Sequence, residues 1–273
     1  MLMTFVVVGL IGLLVGSVIN ALSDDLPLRK KPALPHYPDD TPRSLVAWLG
    51  ITAFLTGQRT SPDGSKLSWR HPITEVVTVL LWWLTVAVTA NDPEVSNLQL
   101  IFYLAHMAIF VLITVIDIEH RLILFVVIIP ASVLALLDAV ITPVQHKPDL
   151  LEALIGGALG FGVFFVLYLG GVLFSYIMAK LQGYELPEVA FGYGDVMLSM
   201  LCGFVLGWQP LIIAMFITVF FGALGALIYL VIRSLSGRYD MFTPLPYGPY
   251  IILGTIILML FAEGVRSFIW SVA

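Results

Sequence analysis

Residues 98–121 read LQLIFYLAHMAIFVLITVIDIEHR, a predominantly apolar run from Leu98 to Ile116 that stops at Asp117, with Glu119, His120 and Arg121 close behind. As a helix, such a run is long enough to cross a hydrocarbon core about 30 Å thick. A carboxylate at its end is costly to ionise away from water, so Asp117 is expected to face protein or a water-filled cavity. The fold and the chemistry both start from this stretch.

Runs of the same kind recur along the whole chain. Of its 273 residues 59% are hydrophobic and 11% charged, and mean hydropathy is +1.00, whereas a soluble domain carries about 25% charged residues. Apolar runs read against Pro, Gly and charge breaks predict spans near 2–22, 74–90, 98–116, 122–141, 151–178, 195–208, 210–233 and 247–264. The fold class is all-α, a polytopic transmembrane bundle of about eight spans. A first span (1–22) is followed by a small cytoplasmic insertion (23–73) and then by the remaining transmembrane bundle (74–273). A retained first span is expected rather than a cleaved signal peptide, because no basic region precedes it and Asp24 and Asp25 follow at once. Between the sixth and seventh spans, Gly207-Trp208-Gln209-Pro210 predicts a tight turn or a single broken helix.

The insertion holds Arg29, Lys30, Lys31, Arg43, Arg59, Lys66 and Arg70, and basic loops resist translocation. Alternation then places Arg121, Lys180, Arg233 and Arg238 on the same cytoplasmic side, leaving Lys147 and Arg266 outside with both termini. Pro27, Pro32, Pro35, Pro38 and Pro42 stiffen an irregular stretch, and the apolar patch Leu45 to Leu55 is expected on the membrane face. Gly156, Gly157 and Gly160, and Gly222 with Gly225, read as sites of close helix packing in lipid. Net charge is −5 with scattered basic residues, so nucleic acid is not an expected partner; the single Cys202 builds neither a disulfide framework nor a cysteine zinc site.

The topology puts Asp117 and Asp195 on one side. Two carboxylates in a partly desolvated site share a proton, and such a pair can activate water while polarising a carbonyl. Around the second aspartate the sequence is Phe191-Gly192-Tyr193-Gly194-Asp195. Its glycines either open backbone angles and close approach to an extended substrate or simply begin a helix with Asp195 as cap. Glu75 either orients a catalytic group or substrate, or caps a helix. Glu119 and His120 either tune Asp117 or form a solvated turn. His106 reads as packed, and Trp82, Trp83 and Trp270 as interfacial anchors.

Five ordered segments resemble the type IV prepilin peptidases, aspartic membrane proteases with a Gly-x-Gly-Asp motif. They are Gly16-Ser17-Val18-Ile19-Asn20, Arg70-His71-Pro72-Ile73-Thr74-Glu75, Ile116-Asp117-Ile118-Glu119-His120-Arg121, Gly192-Tyr193-Gly194-Asp195-Val196-Met197-Leu198 and Pro246-Tyr247-Gly248-Pro249-Tyr250. The resemblance implies catalytic roles for Asp117 and Asp195, with Gly192, Tyr193, Gly194, Glu75, Glu119 and Asn20 as supporting or substrate-binding positions and no metal at the site. It implies removal of a basic leader from a type IV prepilin or pseudopilin at the cytoplasmic face of a bacterial inner membrane. A further N-methylation would use S-adenosylmethionine.

Three departures bear on this. The insertion lacks the two cysteine pairs with which many relatives are expected to hold zinc, so zinc is not expected and the insertion must fold by other means. Leu122-Ile123-Leu124-Phe125 replaces a proline turn, so the fourth span is expected to begin earlier. Asp24 and Asp25 stand where a basic residue is usual. Together with Asp39, Asp40, Glu119, Glu185 and Glu188, they are expected to attract a basic leader. The rival readings are a proton-coupled transporter, for which no repeat symmetry is found, and a non-catalytic scaffold of a pilus or secretion system.

Overall fold

The computed structural model describes residues 2–90, 92, 95–142, 148–182, 192–235 and 246–272; Lys147, Glu185, Glu188, Phe191 and Arg238 lie outside them, as do the side chains of Arg233, Arg266 and Trp270. Among the described residues there is no strand, only two isolated bridges, His36 to Pro42 and Thr60 to Lys66. Among the described residues, six helices are long and apolar enough to cross a membrane, and two shorter apolar helices, Phe125–Ile141 and Tyr193–Leu206, bring the number to the expected eight. The protein is thus a multi-pass, all-helical membrane protein. It has two compact units, Met1–Leu124 and Phe125–Ala273.

The first unit contains α1 (Leu2–Asp25), a 3-10 turn (Leu45–Ala47), α2 (Gly50–Leu55), α3 (Arg70–Thr89) and α4 (Asn97–His120). α1, α3 and α4 pack on one another. A Cβ on Gly16 would lie 2.7 Å from the Cα of Glu75, so the α1 and α3 backbones nearly touch. Such contact matters in lipid, where apolar faces gain little by leaving a solvent as apolar as themselves. Trp82 is 7% exposed and packs near Gly12, while the Trp83 indole donates to Phe5 O at 2.8 Å. Both rings therefore serve the α1–α3 contact, with Trp83 39% exposed. His106 is buried as expected, tilted against Phe110.

The insertion is shorter than expected, because α1 continues to Asp25 and α3 begins at Arg70. Polar partners explain both extensions: Asp24 accepts from Arg70, and Asp25 accepts from Ala33 N at 2.8 Å. Tyr37, Ala47, Ala53 and Leu67 form a small core. Two turns on either side of it are joined by Asp39, which accepts from the Ser61 hydroxyl and from Thr41 N and Oγ1 at 3.1 and 2.6 Å. The Leu45–Leu55 patch splits by face, with Ala47 and Ala53 buried and Leu45, Val46 and Leu55 exposed.

The second unit contains α5 (Phe125–Ile141), α6 (Leu150–Gln182), α7 (Tyr193–Leu206), α8 (Trp208–Leu235) and α9 (Gly248–Val272). α5 starts later than expected. The α4 helix ends on Arg121 at φ 53°, a left-handed cap, and residues 121–124 are non-helical. A turn is therefore made here without proline. Between α7 and α8 the predicted tight turn is a single residue, Gly207, at φ +74°, a region that glycine adopts without the Cβ clash other residues meet.

The expected glycine packing is observed. Any Cβ on Gly156 or Gly203 would enter the other's backbone, and one on Gly160 would strike Ser199 O, so α6 and α7 pack backbone to backbone. Gly222 and Gly225 on α8 leave room for the rings of Tyr247 and Tyr250.

Candidate active site

Asp117 sits in the last turn of α4, 5% exposed, and its carbonyl accepts from Arg121 N at 2.9 Å. Two residues on, Glu119 pairs with Arg70 at 2.7 Å and lies 4.0 Å from His120. Arg70 also bonds Asp24, and His71 Nε2 lies 3.3 Å from Asp24 Oδ2. Glu119 is thus an ion-pair partner at the α3–α4 junction on a turn whose residues 118–121 are exposed.

Asn20 and Glu75 meet in the same unit. The Asn20 amide donates to His71 O at 3.0 Å. Glu75, fully buried, accepts from Gly50 N at 2.5 Å and Ile51 N at 2.9 Å. Its carboxylate therefore caps the N-terminus of α2, where backbone N–H groups lack helical partners. Ser17 Oγ donates to Trp48 O at 2.7 Å. The Gly16–Asn20 and Arg70–Glu75 segments are in this way two sides of one seam that seats the insertion against α1 and α3. The spacing of the residues gave no sign of this, since each partner is remote in sequence.

Asp195 opens α7 in the second unit. It is the third helical residue, and Gly192 is the cap: Gly192 N donates to Asp195 Oδ2 at 3.0 Å, and Asp195 N to Gly192 O at 3.1 Å. The capping alternative is met with the roles exchanged. Gly192 has φ −80° and ψ 155°, extended backbone open to any residue, so a special backbone angle is not what requires glycine. A Cβ there would have room, its nearest neighbour being Asp195 Oδ2 at 3.7 Å. What Gly192 leaves is uncovered backbone beside the carboxylate, and it is exposed. Gly194 lies within the first helical turn.

Tyr193 is 40% exposed, its ring 6.1 Å from Phe125 and edge-on to Tyr168 at 5.9 Å. Tyr168 continues through Phe165 to Phe161 along α6, an aromatic row leading to the mouth of α7 that was not anticipated. Tyr247 lies within electrostatic reach of Asp195. At 14 residues, α7 is about 21 Å long, well short of the core it would cross.

Of the acidic residues expected to attract a basic leader, Asp24 and Glu119 pair with Arg70 and Asp40 with Lys30 at 2.6 Å, whereas Asp25 accepts from the neutral Ala33 N and Asp39 from the hydroxyls of Ser61 and Thr41. The insertion has no cysteine, and among the described residues no group of three or more His, Cys, Asp or Glu is placed together.

A sequence model of the type IV leader peptidase family matches residues 104–227. The chain is similar to a protein of Bacillus subtilis (strain 168) named prepilin leader peptidase/N-methyltransferase, 28% identical over 84% of this chain and 80% of the relative. Proteins of the same name from Legionella pneumophila and Aeromonas salmonicida (strain A449) are 27% and 25% identical, over 96% and 83% of this chain and 92% and 68% of the relatives. No solved structure matches. The matched stretch takes in both aspartates and the relatives align along most of the chain, so the chain is similar to the type IV leader peptidase family.

Proposed function

We propose that the protein is an aspartic endopeptidase that removes the basic leader from a type IV prepilin or pseudopilin at the cytoplasmic face of a bacterial inner membrane, with Asp117 and Asp195 as its catalytic pair. The carrying observation is where the two carboxylates stand. Each occupies the terminal turn of an apolar helix, one closing α4 and the other opening α7, and both fall within the stretch matched by the peptidase family. Topology by basic residues puts both turns, and both active carboxylates, on the cytoplasmic side, with the termini outside.

The chemistry follows from one shared proton. The ionised aspartate takes a proton from water, whose oxygen attacks the scissile carbonyl carbon, while the protonated aspartate donates to the carbonyl oxygen. The tetrahedral intermediate then collapses and the C–N bond breaks: the proton held by the first aspartate passes to the leaving amine, and a hydroxyl proton of the intermediate returns to the second aspartate. The uncovered backbone at Gly192, and Tyr193 beside it, are positioned to meet an extended leader. Asn20, Glu75 and Glu119 support the site by holding the ends of α1, α3 and α4. If the new N-terminus is also methylated, as the relatives' names indicate for them, S-adenosylmethionine supplies the methyl group as a second substrate. The polar groups of the insertion are committed to its own fold, and no methyl-transfer step is assigned to them.

The test is co-expression with a prepilin bearing a basic leader, comparing the intact chain with Asp117→Asn and Asp195→Asn by the mass of the product's N-terminus. Cleavage by the intact chain and its loss in both variants is expected. Continued cleavage by either variant would sink the catalytic pair, and a product heavier by about one methyl group would establish the second activity.

A further inference from the structure

The last turn of α4 is a weak place to mount a catalytic group. The helix stops at His120, Arg121 turns left-handed, and residues 121–124 are non-helical, so the turn is not continued by further helix. End turns lose the hydrogen bonds of an interior turn and fray. A brace comes from another chain segment instead. Arg70, the first residue of α3 and 12% exposed, sends Nη1 to Glu119 Oε2 at 2.7 Å and Nη2 to Asp24 at the end of α1.

The brace is itself anchored. Asp24 also lies within 3.3 Å of His71 Nε2, and the His71 carbonyl is held by Asn20. Arginine suits this junction because its planar fork offers N–H groups in two directions at once, which a lysine ammonium on a flexible stem does not fix. At about 100° per residue, Glu119 and Asp117 stand about 200° apart around the helix. Holding Glu119 against α3 therefore sets the rotation of the turn and points Asp117 to the opposite side of α4.

We propose that Arg70 is a positioning residue for the peptidase reaction, fixing the direction of Asp117 by holding Glu119. This rests on the assignment of Asp117 above. A purely architectural Arg70 would affect the amount of folded protein; a positioning Arg70 lowers turnover in protein that is folded, and does so through Glu119.

The experiment uses the purified full chain in lipid nanodiscs with a prepilin bearing a basic leader, and compares Arg70→Gln, Glu119→Gln, the double variant and Asp117→Asn. Each single variant is expected to lower kcat at least about tenfold, in line with the sensitivity of catalysis to misplacement of about 1 Å, with KM changed less than about twofold. The double variant is expected to match the worse single one, because both remove the same contact. Unchanged kcat in Glu119→Gln overturns the proposal even if Arg70→Gln fails to fold, since Glu119 is 34% exposed and its loss is tolerable. Losses that multiply in the double variant also overturn it. Cleavage by Asp117→Asn would instead strike the catalytic assignment, leaving the two failures distinguishable.

Discussion

The two halves of the molecule solve the same problem with different chemistry. In Met1–Leu124, buried polar side chains join remote segments: Ser17 to Trp48, Asn20 to His71, Glu75 to Gly50 and Ile51, and Arg70 to Asp24 and Glu119. In Phe125–Ala273, small residues let backbones meet, with Gly156 and Gly160 against Gly203 and Ser199, and Gly222 and Gly225 beneath Tyr247 and Tyr250. Lipid supplies little hydrophobic drive between apolar helices, so both specificity and stability must come from hydrogen bonds or from contact area. The first unit must also seat an insertion that leaves the membrane. Its backbone groups at Gly50 and Ile51 need partners, and only a polar side chain can supply them. The lesson is that the amphibious unit leans more on hydrogen bonds between remote segments and the more apolar one more on shape.

The contrast can be broken most forcefully on the apolar side. Gly203→Leu drives a side chain into the Gly156 backbone, which cannot yield as a flexible side chain would. The expected cost is about 3 kcal/mol or more, read as loss of folded protein in a thermal unfolding series in detergent. Native behaviour in this variant would show that the α6–α7 contact is not held by shape.

Next in size is the polar seam. Glu75→Ala leaves the Gly50 and Ile51 N–H groups without their acceptor, an expected loss of about 2–4 kcal/mol from two unsatisfied donors. Hydrogen exchange at residues 50–55 should rise sharply while α6 and α7 keep their protection. Equal loosening of both units would erase the contrast.

A smaller effect, about 1 kcal/mol, is expected for Asn20→Ala, which removes one bond to His71 O. Combined with Glu75→Ala it should be non-additive, since both residues serve the same seam. Strict additivity would argue that Asn20 and Glu75 act separately.

The mildest perturbation is pH. Hydrogen bonds from Ser61 and then Thr41 hold Asp39 down to about 2, from an ordinary 3.8. Since the folded form binds its proton more weakly than the unfolded one, the contribution of Asp39 is complete above about pH 4 and is lost as pH falls toward 2. Pepsin should therefore begin to cut within residues 36–66 as pH drops through that window, with the transmembrane helices spared. Asp39→Asn should be cut already at the upper end; protection identical to that of the intact chain would remove Asp39 from the insertion's fold.

Much of this architecture is legible in the sequence because it depends on local pattern. Apolar run length fixes the eight spans, and Gly207 between two such runs fixes the turn. The glycine pairs on α6 and α8 announce close packing before any partner is known. Asp117 and Asp195 stand out because a carboxylate at the end of an apolar run has a cost that demands a reason.

Elsewhere local pattern misleads. Gly192 looks like a glycine needed for an unusual backbone angle and has an ordinary one. The end of α4 is set by the left-handed Arg121, a residue with no proline or glycine signal around it.

What the sequence by itself determined is the membrane class, the number and approximate positions of the spans, and the two aspartates worth testing, since these follow from hydrophobic length and from the cost of charge. Only the tertiary structure decided what the polar residues do. Glu75 caps a helix whose first residue lies 25 positions earlier, Arg70 braces a turn 49 positions later, and Asp39 joins its turn to Ser61, 22 positions away. A hydrogen bond is directional and short, so its partner is chosen by how the chain returns through space, which spacing along the sequence does not encode.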